Sequence, residues 1–231
     1  MLELSGINQY YGGSHILNEV NLKVSDGEMV CLLGRNGVGK TTLMRSVMGM
    51  VAIKTGKLLF AGKNITQTTT EQRARAGIGF VPQGREIFPL LTVEENLKLA
   101  LAGRRDGLRN VPAHIYTLFP VLLDMRHRRG GDLSGGQQQQ LAIGRALVLD
   151  PKILLLDEPT EGIQPNIVVE IGQVLRRLNQ ELGLAVLLVE QKLPFARQVA
   201  DRFVIMERGQ IQATDKMSAL DDTLIQRYLT V

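Results

Sequence analysis

The chain has 231 residues, of which 44% are hydrophobic and 22% charged, the composition of an ordinary globular protein. The formal net charge of +4 weakly favours a nucleotide, a nucleic acid or an anionic membrane surface as partner. The single cysteine, Cys31, excludes an intramolecular disulfide framework. The chain does not open with a basic and apolar leader, and no apolar run approaches the roughly 18 residues of a membrane span. We therefore expect a soluble, cytoplasmic protein with one large domain, or with a core and a subdomain.

The first third of the chain alternates short strands with turns. We predict strands at residues 2–7, 20–24, 28–33, 57–60 and 78–81, and a helix that follows Gly39 and ends near Met50. Residues 34–42 read Gly-Arg-Asn-Gly-Val-Gly-Lys-Thr-Thr, which matches the phosphate-binding loop. In this loop, glycines let backbone N–H groups converge on an anion at a helix N-terminus.

The phosphate-binding loop predicts a site for a nucleotide and a magnesium ion. Lys40 is expected to bridge the β- and γ-phosphates, and the Thr41 hydroxyl to ligate Mg²⁺. The predicted binding residues of this loop are Gly34, Asn36, Gly37, Gly39, Lys40, Thr41 and Thr42.

The middle of the chain, residues 84–150, reads as helices. Thr92 and Glu95 have the spacing of a capping box ahead of Leu97, and an apolar segment at 115–123 is interrupted by Pro120. Arginines and a histidine form a basic run at 126–129. No aromatic residues are interleaved with it, so a solvated face is favoured over a nucleic-acid patch.

Residues 133–137 read Leu-Ser-Gly-Gly-Gln and predict a second anion site. Ser134 is a good N-cap for a helix that reaches about Leu149, and the two glycines expose backbone N–H groups at its start. One nucleotide does not need helix N-termini from two distant segments, unless a second copy of the fold supplies the other.

The last third returns to alternating strands and helices. Continuous apolar runs at 153–156 and 185–189 are typical of parallel strands covered on both faces. We predict a helix from Pro165 to about 182, strands at 203–206 and 210–213, and a terminal helix at 216–229. The first apolar run ends in Asp157, predicted to hold Mg²⁺, and Glu158, predicted to polarise the attacking water. The alternative is two solvated acids at a strand end.

Three segments together resemble the ATP-binding subunit of an ABC transporter: the phosphate loop, residues 133–137, and Leu-Leu-Asp-Glu-Pro at 155–159. The phosphate loop is common to many NTPases, whereas Leu-Ser-Gly-Gly-Gln is highly specific. The resemblance covers essentially the whole chain. It implies an α/β P-loop NTPase fold, with a RecA-like core, an antiparallel β subdomain and an inserted α-helical subdomain. The implied single ATP-binding domain spans 1–231, with its core at 1–83 and 151–231 and the helical signature subdomain at 84–150.

The resemblance also implies roles for individual residues. Tyr11 lies where the family stacks an aromatic ring on adenine, with Tyr10 as the rival, and Gln83 matches the residue that reaches Mg²⁺ and the γ-phosphate. The signature residues are expected to close over the γ-phosphate bound by an opposite, head-to-tail subunit; they are Ser134, Gly135, Gly136 and Gln137. ATP would thus be buried between two subunits, and its hydrolysis would reopen the pair.

The partners implied by the resemblance are two transmembrane permease subunits, a second related ATP-binding subunit and, indirectly, an extracytoplasmic substrate-binding protein. A heterodimer is expected in the assembly, with a homodimer in isolation as the alternative, and no nucleic acid is expected. The implied location is the cytoplasmic face of the inner membrane, as a peripheral subunit. Segments 10–17, 81–89 and 158–165 look like the branched-chain amino-acid and urea importer branch. Segment 128–140 resembles the urea transporter subunit of the UrtE type most closely. Urea, or a short amide, is therefore the expected cargo by kinship only, and the alternative is an importer of branched-chain amino acids.

Two residues depart from the family pattern. Gln164 stands where the family usually has aspartate, and Gln191 stands where it usually has a histidine that contacts the γ-phosphate. An amide donates and accepts hydrogen bonds but cannot hold a proton. Either Glu158 is the only titrating catalytic group, with Gln191 as a neutral positioner, or this site is degenerate. We favour the first interpretation because Lys40, Asp157, Glu158 and Gln83 are all present.

Other function classes fit the sequence less well. ABC proteins of DNA repair need long coiled-coil insertions, for which 231 residues leave no room. Translation or regulatory ABC proteins usually carry two cassettes in one chain. A small-molecule kinase would use the phosphate loop but has no use for residues 133–137.

Overall fold

The fold is built on a central β-sheet, and the computed structural model describes residues 1–104 and 106–230. In chain order the elements are β1 (Leu2–Tyr11), β2 (Ser14–Val24), β3 (Met29–Leu33), α1 (Lys40–Met48), β4 (Thr55–Phe60), β5 (Lys63–Asn64), α2 (Thr70–Ala76), β6 (Ile78–Val81), α3 (Val93–Leu101), α4 (Ala113–Leu118), α5 (Pro120–Asp124), α6 (Gly135–Val148), β7 (Ile153–Asp157), α7 (Pro165–Leu182), β8 (Ala185–Val189), α8 (Leu193–Val199), β9 (Arg202–Glu207), β10 (Gln210–Lys216) and α9 (Asp222–Tyr228). No helix in these ranges is both long enough and apolar enough to cross a membrane.

Two sheets organise the described residues. The central six-stranded sheet has the order β10-β9-β3-β8-β7-β6, with parallel pairing from β9 to β6 and an antiparallel β10 at its edge. A four-stranded antiparallel sheet has the order β2-β1-β4-β5. Helices α3 to α6 lie in sequence between β6 and β7. The predicted fold class, an α/β P-loop NTPase with an antiparallel β subdomain and a helical insertion, is confirmed.

The central strands are apolar throughout because they are buried on both faces. Along β7, Leu154 and Leu156 belong to the hydrophobic core shared with the helices, whereas Ile153 and Leu155 belong to the core shared with the antiparallel sheet. Strands β3 and β8 alternate in the same way, and every residue of all three strands is buried. Parallel strands end at the same edge of the sheet, so the polar residues that follow β7 and β8 are brought together.

Several predicted element bounds were wrong. Strands β1 and β2 are longer than predicted because polar residues continue the hairpin. For example, the side-chain oxygen of Asn8 on β1 accepts a hydrogen bond from the N–H of Glu19 on β2 at 3.1 Å. The apolar segment 115–123 forms two helices, since Pro120 starts α5 and Phe119 before it leaves the helical conformation. The terminal segment does not start as a helix at 216. Strand β10 continues to that residue, a short 3₁₀ turn follows, and Asp221 caps the final helix α9.

Helices α2 and α8 were not predicted. Helix α2 carries few apolar residues and is fixed by polar contacts instead. The guanidinium of Arg73, which is 3% exposed, donates to the carbonyls of Ser46 and Val47 at the end of α1 and to that of Thr66. A helix held by buried hydrogen bonds shows no apolar periodicity, so the pattern that indicates helices could not reveal it.

Candidate functional site

An open cleft of about 420 Å³ lies at the N-terminus of α1, where the central strands end. Loops after β3, β6, β7 and β8 supply most of its wall, together with the tip of the β1–β2 hairpin. The residues that line it are Tyr11, Ile16, Asn36, Gly37, Gly39, Lys40, Thr41, Thr42, Gln83, Glu158, Glu161 and Gln191. The structure thus brings the predicted loop residues, except Gly34, to one cleft together with four predicted residues from distant segments, namely Tyr11, Gln83, Glu158 and Gln191.

Two glycines of the phosphate loop are required by its path. Gly39, the N-cap of α1, has φ +112°, a conformation that side chains rarely allow. Gly34 has φ +153°, and a Cβ atom there would lie 2.4 Å from the carbonyl oxygen of Met206 on β9. The loop therefore lies against the sheet and lines the cleft at the N-terminus of α1, the positive end of the helix, where backbone N–H groups bind anions.

Lys40 is folded back over the loop. Its Nζ atom donates to the carbonyls of Gly34 at 2.7 Å and Arg35 at 2.8 Å, and the residue is only 5% exposed. Burial lowers the pKa of Lys40, and the nearby carboxylates of Glu158 and Asp157 oppose that shift. The amine is thereby kept on the cleft wall by neutral acceptors that a phosphate can replace.

Asp157 carries a buried carboxylate at the end of β7. The residue is 1% exposed, and neither carboxylate oxygen has a hydrogen-bond partner in the part of the chain that the structure describes. Burial raises the pKa of Asp157, and the charge of Glu158 raises it further. The nearby Thr41 hydroxyl opposes this rise, although it is not placed to form a hydrogen bond of ordinary geometry. A buried carboxylate is normally paired or bound to a metal. An unpaired carboxylate beside a threonine hydroxyl therefore fits a hard cation such as Mg²⁺.

Glu158 and Gln191 are in direct contact. The Nε2 atom of Gln191 donates to Oε1 of Glu158 at 2.6 Å and to Oδ1 of Asn36 in the phosphate loop at 2.7 Å. Glu158 adopts a positive φ of +50°, and its N–H donates to the carbonyl of Val189 at 3.0 Å. Positive φ is uncommon for a glutamate and turns its side chain away from the direction of the strand. The amide of Gln191 thus links the acid, the phosphate loop and the end of β8.

The remaining predicted cleft residues are Tyr11 and Gln83. Tyr11 lines the cleft and is 48% exposed, whereas Tyr10 stacks on His15 with the ring centroids 4.2 Å apart. This geometry favours Tyr11 over Tyr10 as the aromatic residue available to a base. The amide of Gln83 faces the same cleft and donates to Oε2 of Glu161 at 3.0 Å.

Three residues near the cleft were missed from the sequence. Ile16 and Glu161 line it. Glu190, which directly follows β8, is 2% exposed and accepts hydrogen bonds from Thr160, so it is a buried, supporting residue. Its hydrogen-bond partner Thr160 lies thirty positions away along the chain, and only the fold brings the two residues together. The only sequence signal for Glu190 was its position as an ionisable residue directly after the buried strand β8.

The signature residues lie in a different cavity of about 510 Å³. Ser134 caps α6 through a capping box: its hydroxyl accepts from the N–H of Gln137 at 3.3 Å, and the Gln137 side chain accepts from the N–H of Ser134 at 2.9 Å. Gly135, Gly136 and Gln164 line the same cavity. Within the described ranges, none of these residues lines the phosphate cleft. The fold does not bring the two predicted anion sites together within one chain.

A phosphate-binding loop, a buried unpaired carboxylate and a second carboxylate held by an amide define a nucleoside-triphosphatase site of the P-loop type. The family model described as ABC transporter matches residues 17–161. The chain belongs to the ABC transporter family, as an ATP-binding subunit. It is an ATPase that uses ATP with Mg²⁺.

Two curated relatives and one solved structure describe the similarity. The chain is 39% identical over 223 residues to the high-affinity branched-chain amino acid transport ATP-binding protein BraG of Pseudomonas aeruginosa, covering 95% of this chain and 94% of that protein. It is 38% identical over 217 residues to a sulfate/thiosulfate import ATP-binding protein of Bordetella parapertussis, covering 91% of this chain but 60% of that protein. A dimeric post-hydrolysis ATP-binding cassette bound to ADP and Pi matches with a TM-score of 0.83 at 27% identity, over 94% of this chain and 99% of that one.

Proposed function

We propose that the chain is the ATP-hydrolysing subunit of a membrane importer, and that branched-chain amino acids are its cargo. The observation that carries the ATPase part is the cleft in which the phosphate loop, Asp157 and the Glu158–Gln191 pair meet. The relative named for branched-chain amino acid transport supports the cargo. Because of that relative, we rank branched-chain amino acids ahead of urea, which the sequence favoured.

The cleft residues divide the work of phosphoryl transfer to water. Lys40 and the N–H groups of the loop bind the phosphates, Thr41 and Asp157 hold Mg²⁺, and Gln83 completes that side of the cleft. When bound, Mg²⁺ neutralises charge on the phosphate oxygens. Glu158 accepts a hydrogen bond from the attacking water and orients it.

Gln191 acts as a neutral positioner of Glu158. Its amide hydrogens go to Glu158 and Asn36, so the contact with the acid replaces the phosphate contact expected from the sequence. The hydrogen bond from Gln191 holds the Glu158 carboxylate in a position from which it can accept a hydrogen bond from water. We therefore infer that this site hydrolyses ATP with Glu158 as its titrating group.

The separation of the phosphate cleft from the signature cavity supports a pair of chains as the working unit. Ser134, Gly135, Gly136 and Gln137 would complete the site of an opposite subunit, and Gln164 would lie beside that contact. The dimeric cassette with ADP and Pi is consistent with such a pair. We expect a related but different ATP-binding subunit as partner in the assembly.

The proposed setting is the cytoplasmic face of the inner membrane, where the chain binds two permeases peripherally. We propose that residues 1–83 and 151–231 form the core and that residues 84–150 form the helical signature subdomain. This division rests on the sequence. A substrate-binding protein delivers the cargo to the permeases. None of the proposed roles involves nucleic acid.

The proposed cargo rests on similarity to relatives, because the residues that line the phosphate cleft are suited to a nucleotide and do not indicate a transported molecule. A relative 38% identical serves sulfate and thiosulfate import, so similarity at this level does not determine a cargo by itself. The experiment is to reconstitute the chain with its permeases and binding protein in vesicles containing Mg-ATP. Uptake of labelled leucine, absent with Glu158→Gln, is the expected result. Uptake of urea and not leucine would overturn the cargo, and hydrolysis unchanged by Glu158→Gln would overturn the site.

A further inference from the structure

Glu190 is a buried carboxylate that follows β8 directly. It is 2% exposed, and it lies behind the wall of the phosphate cleft, beside Gln191. Acidic side chains are almost never this deeply buried unless they are paired or hydrogen-bonded. The mechanism proposed above assigns no role to Glu190.

The contacts of Glu190 divide between its two oxygens. Oε1 accepts from the hydroxyl and from the N–H of Thr160, the latter at 3.3 Å. Oε2 accepts from the backbone N–H groups of Gln191 at 2.8 Å and Lys192 at 3.0 Å. One oxygen thus binds the loop after β7, and the other binds the loop after β8. These donors hold the carboxylate in one orientation.

The two loops joined by Glu190 are those that carry the catalytic pair. The regular pairing of β7 with β8 ends at Asp157 and Val189. Beyond it, the ammonium of Lys192 donates to the carbonyl of Thr160 at 2.8 Å, which adds a second link between the same loops. Thr160 is fully buried, so this link excludes water. The regular backbone pairing of β7 with β8 does not extend into these loops. Beyond its end, the hydrogen bonds of the Glu190 carboxylate join the two loops.

We propose that Glu190 is a positioning residue for ATP hydrolysis, which ties the loop after Glu158 to the loop of Gln191 and so holds their side chains in contact. It acts through Gln191 and not on the nucleotide. The inference rests on the proposed roles of Glu158 and Gln191. Its consequence is that kcat depends on a carboxylate that touches neither ATP nor water.

Two sets of variants test this role. Glu190→Gln keeps the shape but offers one acceptor oxygen. Its NH₂ group either faces Thr160, where it can donate to the hydroxyl but leaves the Thr160 N–H without an acceptor, or faces the N–H groups of Gln191 and Lys192 and leaves both without one. Either orientation weakens one side of the link. Thr160→Val removes the hydroxyl alone, and Thr160→Ser retains it. Each is measured in the full chain with its partner subunits, by steady-state hydrolysis of Mg-ATP, ATP affinity and thermal midpoint.

The expected result is a selective loss of kcat. A misplaced acid loses up to roughly 10²-fold in rate, so Glu190→Gln and Thr160→Val lower kcat by about ten- to a hundredfold, with KM and ATP affinity within about twofold of wild type. Thr160→Ser keeps most of the activity. In a Gln191→Ala background, Glu190→Gln lowers kcat little further, because both changes release the same contact.

Other outcomes would overturn the role. Three results would each show that Glu190 serves stability only. The losses of kcat from Glu190→Gln and Gln191→Ala could be additive, or Thr160→Ser and Thr160→Val could have equal effects. The third result is a fall in ATP affinity parallel to the fall in kcat. If Glu190→Gln does not fold, the Thr160 variants decide, since they leave the carboxylate in place. Glu158→Gln separates the two proposals: if it leaves turnover unchanged, the proposed site fails. If it abolishes turnover and Glu190→Gln does not lower kcat, only this inference fails.

Discussion

The contact between Gln191 and Glu158 leads to a quantitative prediction for Gln191→Ala. The substitution removes the donor that lies 2.6 Å from the Glu158 carboxylate and 2.7 Å from Asn36. A hydrogen bond to a charged group contributes about 1.5–3 kcal/mol, and the lower end applies because Gln191 is exposed. If the poorer orientation of Glu158 removes about 1.5 kcal/mol of transition-state stabilisation, kcat falls about tenfold.

The assay is steady-state hydrolysis at saturating Mg-ATP, with KM measured separately. Asn36→Ala is the matched control, because it removes the other partner of the same amide and leaves the contact with Glu158; we expect a smaller loss of kcat. Gln191→His adds a second diagnostic, since imidazole titrates near about 6.5 and an amide does not. Only the histidine variant should gain a titration in that range of the pH–rate profile.

The reasoning is refuted if Gln191→Ala keeps kcat within about twofold of wild type, a change of less than about 0.5 kcal/mol. It is also refuted if the wild-type profile already contains a group titrating near the ordinary pKa of histidine, about 6.5. In the first case the amide does not orient the acid, and in the second a group other than Glu158 shares the proton transfer.

Three further substitutions give predictions. Burial raises the pKa of Asp157 in the folded protein, so ionisation of its carboxyl destabilises the metal-free fold, and this loss grows as the pH rises from the pKa of the unfolded state to that of the folded state. At neutral pH, Asp157→Asn therefore raises the thermal midpoint, by roughly 2–4 °C for each kcal/mol of destabilisation that is removed. The same substitution weakens Mg²⁺ binding. Arg73→Ala removes a buried guanidinium from its carbonyl partners and lowers the free energy of unfolding in urea by roughly 2–3 kcal/mol. Gly34→Ala strains the loop against Met206, and a roughly tenfold loss of ATP affinity in nucleotide titrations is expected.

Each of these expectations has a contrary result. A lower thermal midpoint for Asp157→Asn without Mg²⁺ would mean that the carboxylate is paired in solution. An unchanged urea midpoint for Arg73→Ala would mean that water replaces the guanidinium at no loss. Unaltered ATP affinity of Gly34→Ala would mean that the loop shifts freely away from β9.

The parts of the fold predicted best from the sequence are those whose burial leaves a pattern in the chain. Strand β8 was predicted with its observed bounds because both of its faces are covered and all five residues are apolar. Thr92 and Ser134 were correctly predicted as caps, since capping boxes are local in sequence. Helix α2 was not predicted although Thr69 and Gln72 form a capping box, because no apolar periodicity follows that cap and Arg73 holds the helix through hydrogen bonds to distant carbonyls.

The candidate site was predicted residue by residue but not as a set of contacts. The position of Gln191 at a strand end indicated a role in the cleft, yet its partners belong to segments far away in sequence. The choice between Tyr10 and Tyr11 depends on His15, across a hairpin whose register the sequence does not specify. The burial of Glu190 depends on Thr160, thirty positions away along the chain. Such pairings arise only when the sheet assembles.

The placement of the phosphate loop and the signature segment in separate cavities has a genetic consequence. In the head-to-tail pair proposed above, if it is made of two copies of this chain, each composite site would take its loop from one copy and its signature from the other. An allele with a defective Lys40 and an allele with a defective Ser134 therefore complement each other. A mixed pair contains one site with both defects and one with neither. Two inactive proteins, mixed in equal amounts and allowed to exchange, should recover about a quarter of the normal number of intact sites, since about half of the pairs are mixed.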